Sequence, residues 1–146
     1  MDVTLAVVFP ALFVAHQLGD HIVQTHHQAC TKGQPGAAGR WACIRHVATY
    51  TLTAVVCLLA AIAVTGASVS PAAFTAGLTI SAVSHYIADR RAPLRWFAAV
   101  TGHAAFFDLG AARPGRDDNP CLGTGAYAMD QAWHYGWLFV AALVMA

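Results

Sequence analysis

The sequence predicts an all-α, polytopic membrane protein, with four transmembrane helices in one bundle and an interfacial helix between the third and fourth. Three observations carry this. Hydrophobic residues make up 58% of the 146 positions and charged residues only 10%, a balance too apolar for an ordinary soluble domain. Four apolar stretches, 3–22, 43–66, 72–88 and 126–146, each approach the roughly 20 residues that cross a bilayer. Every Lys and Arg falls between the first and second stretches, at the start of the second (Arg45), or between the third and fourth.

The first stretch lacks a basic leader and a small-residue cleavage site, so we expect it to stay in the mature chain. After it comes a polar connection with Gly33, Pro35, Gly36 and Gly39 as breakers, read as an ordinary loop. The second stretch shows no polar face over Leu52 to Val64, which argues for lipid around it. Ser70 and Pro71 suit the start of the third, because the first turn of a helix does not need the N–H that proline lacks. Arg91 to Phe107 mixes arginines with Trp96, Phe97 and Phe107, the pattern of a helix lying along headgroups. Turn formers follow, and Gly123-Thr124-Gly125 leads into the fourth stretch.

Lys32, Arg40 and Arg45 in the first connection, and Arg90, Arg91, Arg95, Arg113 and Arg116 in the second, place both connections in the cytoplasm and both termini outside. The expected location is a cytoplasmic (inner) membrane, with a single domain over 1–146 and its cytoplasmic segment at 90–125. Cys30, Cys43 and Cys121 then fall in reduced loops, and Cys57 in helix packing, with no disulfide framework.

Ionisable side chains inside membrane helices are scarce and each is a site hypothesis. Here they recur as pairs spaced i, i+4, namely His16 with Asp20, His85 with Asp89, and Asp130 with His134. That spacing puts both side chains on one helix face, a turn apart. His46 opens the second stretch. At a rise of about 1.5 Å per residue, His16 lies about 9 Å and His134 about 12 Å in from the cytoplasmic ends, and the other five lie shallower. All seven can therefore meet in one layer open to the cytosol.

Imidazole and carboxylate are ligands for a divalent transition metal, zinc first and manganese or iron next. Seven groups exceed one tetrahedral shell, so one or two ions are expected, with Asp20, Asp89 and Asp130 as ligands or bases. Gln24, Tyr50, Ser81 and Gln131 extend the same stripes and are expected to orient the ligands. His21, His26, His27 and His103 are read as solvated, and Trp96, Trp133, Trp137 and Tyr135 as anchors or packing residues. Backbone N–H groups at Gly123-Thr124-Gly125, with Arg113 and Arg116 nearby, suggest a seat for an anionic group.

The motifs Ala15-His16-Gln17-Leu18-Gly19-Asp20 with Gln24-Thr25, His46-Val47-Ala48-Thr49-Tyr50, Ser84-His85-Tyr86-Ile87-Ala88-Asp89 and Asp130-Gln131-Ala132-Trp133-His134 resemble a family of small bacterial and phage membrane proteins grouped as domain of unknown function 3307. The resemblance implies a compact four-helix membrane domain with a recurrent His/Asp set, and no reaction. The residues point first to a membrane-embedded metal-dependent hydrolase acting on a lipid or amphiphile at the cytoplasmic leaflet. A structural polar or metal site, and ion or proton transport, are the alternatives. The basic residues serve topology, so no nucleic-acid partner is expected.

Overall fold

A computed structural model describes residues 3–115 and 123–146. Among these the protein is all-α. Helix α1, Thr4–Leu18, runs on into a single π-helical turn, Gly19–Val23. Then follow α2 (His26–Thr31), α3 (Gly36–Thr65), α4 (Pro71–Asp89), α5 (Ala92–Val100), α6 (Ala104–Phe107) and α7 (Gly125–Met145). Two helical stretches, Thr4–Val23 and Gly36–Thr65, are long and apolar enough to cross a membrane. Helices α4 and α7 are of similar length, but Ser81, Ser84, His85 and Asp89 in one and Asp130, Gln131 and His134 in the other interrupt their apolar character.

Local chemistry sets the ends. Thr25 and Gln28 form a reciprocal capping box on α2: Gln28 N–H donates to Thr25 Oγ1 at 3.2 Å and Thr25 N–H to Gln28 Oε1 at 2.8 Å. Ser70 Oγ caps α4 by accepting from Ala73 N–H, and Pro71 occupies the first helical position as expected. Gly66, at φ +71°, closes α3 in the left-handed conformation.

The four long helices form a ring in which α1 packs on α3, α3 on α4, α4 on α7 and α7 on α1, while the diagonal pairs make no backbone contact. One half of the interior is apolar, built on Val8, Leu12, Ala54, Leu58, Leu138 and Met145. The other half holds the ionisable residues. Large side chains such as Leu52, Val56, Leu59 and Val83 point outward and are more than half exposed, a surface that suits lipid better than water.

Several expected boundaries are corrected. The second helix starts at Gly36, not near Cys43, so Gly36 and Gly39 lie in a helix rather than breaking one. Gly39 is buried, and its small size admits the Gln34 carbonyl and the Arg90 guanidinium alongside. Consequently Cys43 is a buried helix residue, and the first connection is shorter and contains α2, which carries Cys30. The expected helix over Arg91–Phe107 is two short helices broken at Thr101-Gly102-His103, where Gly102 has φ +77°. Arg116 and Cys121 lie outside the described residues.

Arg90, the residue after α4, donates to the backbone carbonyls of Lys32 and Gln34 and so ties the first connection to the end of α4. Leu94 and Ala98 bury one face of α5, and Phe97 meets Trp133 of α7 edge-on at 5.4 Å.

Candidate metal centre

His16, His46, His85 and His134 are 0–3% exposed, and Asp89 is 3% exposed, so these polar groups lie in the interior. The helices bring them to one height, as expected from their spacing. Asp20 sits in the π-helical turn, whose Gln24 N–H to Gly19 O hydrogen bond of 3.0 Å widens the helix by one residue. Gly19 makes this possible: a Cβ there would fall 2.8 Å from Tyr50 Cδ2, so only glycine lets the turn close against α3.

Four donor atoms from three segments, the π-helical turn, α3 and α4, converge. His46 Nε2 and His85 Nε2 are 3.0 Å apart. Asp20 Oδ1 lies 3.3 Å from each of these nitrogens, and Asp89 Oδ2 lies 3.3 Å from His46 Nε2 and 3.2 Å from His85 Nε2. His46, His85 and Asp89 offer ligand atoms within 4.8 Å of one another, and Asp20 does so with His16, His85 and His134. Donors 3.0–3.3 Å apart suit neighbouring ligands of one zinc ion, which binds imidazole nitrogen and carboxylate oxygen at about 2.0 Å. Both carboxylate oxygens are buried and accept no hydrogen bond, although imidazole nitrogens stand so near. Buried carboxylate oxygens without a donor are costly unless a cation lies beside them.

The surroundings fix the rings. The Tyr50 ring stacks on His85 with centroids 3.9 Å apart, and its hydroxyl bonds Ser81 Oγ at 3.0 Å. The Gln24 amide nitrogen lies 2.9 Å from His46 Nε2. Gln131 donates from Nε2 to Asp130 Oδ2 at 3.2 Å, which turns its Oε1 toward His16 Nε2 at 3.3 Å and the Tyr135 hydroxyl at 2.9 Å. Of the four residues expected to support the site, Gln24, Tyr50 and Gln131 contact its histidines, and Ser81 reaches it only through the Tyr50 hydroxyl.

Asp130 groups with Asp89 and His134 rather than with His46 and His85. Its carboxylate is 3.5 Å from His134 Nδ1 and its side chain is 28% exposed, the most open of the three aspartates. His21, His26, His27 and His103 are exposed, as expected of solvated residues. Near α7 the anion seat is filled by the chain itself, since Gly125 N–H donates to Leu109 O at 2.8 Å and Tyr127 N–H to Thr124 Oγ1 at 3.1 Å.

Two participants escaped the sequence reading. Lys32 Nζ is 2.7 Å from Asp89 Oδ1, opposite the oxygen that faces the histidines. A single lysine in a polar connection has no spacing signature, and it was read only as a topology marker. Tyr135, read as a packing residue, links Gln131 to Gln17, whose Nε2 donates to its hydroxyl at 3.0 Å. An aromatic one turn after Gln131 was the available signal.

Fold and cluster together define a small helical bundle with a buried histidine–aspartate centre. The chain matches the family described as Protein of unknown function (DUF3307) over residues 8–146, and it belongs to that family. No curated protein and no solved structure matches it.

Proposed function

We propose that the protein is a four-span inner-membrane protein that binds a divalent transition metal through His46, His85, Asp20 and Asp89. On this reading α1, α3, α4 and α7 all cross the bilayer, and α5 lies at its cytoplasmic face. The observation that carries the metal is the unpartnered pair Asp20 Oδ1 and Asp89 Oδ2, held at coordination spacing from two imidazole nitrogens. Zinc suits this set of imidazoles and carboxylates best, and manganese or iron would add ligands. The activity proposed is metal-assisted hydrolysis of an amphiphile entering from the cytoplasmic leaflet, with Asp130 as the accessible base.

A second reading has its own support. Four protein donors complete a tetrahedral shell, as in sites whose metal only holds the fold together.

Elemental analysis of protein purified in detergent without chelator tests the metal. A stoichiometric metal is expected in the wild type, falling at least tenfold in His46→Gln and Asp89→Asn; a folded, metal-free wild type would overturn the proposal. Asp130→Asn separates the two readings. It should keep the metal while abolishing hydrolysis of a p-nitrophenyl ester or phosphoester amphiphile in mixed micelles. Wild-type protein that holds metal and hydrolyses neither class favours the structural role.

A further inference from the structure

The proposed metal position uses one oxygen of Asp20 and one nitrogen of His85. On its α1 and α7 side stand two more imidazoles, His16 and His134, with ring centroids 4.8 Å apart. Their hydrogen bonds decide which nitrogen of each carries the proton. His134 Nδ1 is 2.7 Å from the Asp130 backbone carbonyl, which can only accept, so Nδ1 donates and Nε2 keeps its lone pair. His16 Nε2 faces the Gln131 amide oxygen at 3.3 Å, so it donates too and Nδ1 keeps its lone pair. Both lone-pair nitrogens, His16 Nδ1 and His134 Nε2, are buried and lack any partner. Asp20 completes the set: while Oδ1 faces His46 and His85, Oδ2 lies 3.7 Å from His16 Nδ1.

We infer that His16 Nδ1, His134 Nε2 and the outer oxygen of Asp20 form a second divalent-cation position, bridged to the first by the Asp20 carboxylate. This rests on the metal reading above and adds a second ion to it. His16, Asp20 and His134, together with His85, offer donors within 4.8 Å of one another, wider than the 3.0–3.3 Å spacings of the first position. The ligands must draw inward, so the second ion binds more weakly than the first. The Nδ1–H hydrogen bond to a carbonyl in His134, and the bond from His16 to an amide oxygen, are the supports that metal-binding histidines ordinarily have. Two imidazoles and one carboxylate leave a coordination place open, which the four donors of the first position do not.

Titration of the detergent-purified protein with Mn(II), read by ion counting and by low-temperature electron paramagnetic resonance, tests this. The wild type should take up two ions in separate steps, and the second should produce the spin-coupled signal of neighbouring Mn(II) ions. His16→Gln and His134→Gln should weaken the second step at least tenfold and erase the coupled signal, leaving the first step in place. A wild type that binds one ion without a coupled signal overturns the second position and spares the first. Two ions whose second step is indifferent to both substitutions overturns it as well, and a wild type that binds no ion overturns both.

Discussion

Asp89 presents one oxygen to His46 and His85 and the other to Lys32, so a single carboxylate balances the candidate metal position against a buried ammonium. Lys32 is 12% exposed at its side chain, and removing it leaves Asp89 charged and half-partnered in the interior. Breaking a buried pair from one side ordinarily costs about 3–5 kcal/mol, whereas removing both charges costs far less. Lys32→Met should therefore lower unfolding stability by about 3 kcal/mol, near the lower end because the lysine is not fully enclosed. In metal-free protein, Lys32→Met with Asp89→Asn should recover most of the loss, read as unfolding midpoints in detergent; equal losses in the single and double variants would sink this account of the pair.

At the scale of elements, the turn at Gly19–Val23 is the joint on which the centre depends, because it places Asp20 beside α3 and α4. Gly19→Ala puts a methyl group into the Tyr50 ring and should destabilise the protein by about 1–3 kcal/mol, the usual effect of overpacking. Metal affinity should fall in the same variant, and Tyr50→Leu added to it should restore part of both. Thermal unfolding with and without added Zn(II) measures each. The i, i+4 pairs were legible in the sequence because helical periodicity is a property of spacing alone. The π-helical turn was not, since a change in hydrogen-bond register leaves no mark in residue order. The start of α3 was misplaced for a related reason: Pro35, Gly36 and Gly39 read as breakers, although Gly39 is small because a neighbouring chain segment crowds it. Thr25 and Gln28 stand at capping-box spacing, a signal for α2 that goes unused when the connection is read as an ordinary loop.

For the whole molecule, the long apolar stretches carried most of the fold, because each is long enough to form one helix. The closure of the ring was not legible, since which helices touch follows from packing surfaces that one sequence does not display. The four-span proposal places α2 and its exposed Cys30 in the cytoplasm. In a Cys121→Ser background, a membrane-impermeant maleimide should label Cys30 in inverted vesicles and spare it in intact spheroplasts. Labelling of spheroplasts would reverse the orientation.

The division of the interior into an apolar half and an ionisable half has an electrical consequence. On the four-span proposal, the layer of Val8, Leu12, Leu58, Leu138 and Met145 closes the far end, so an ion at the centre would enter and leave from the cytoplasmic side. Such an ion would traverse only a fraction of the membrane voltage, and each elementary charge crossing the full field would feel about 2.3 kcal/mol per 100 mV. On that proposal, occupancy would follow free ion in the cytosol, nearly independent of whether the cell is energised.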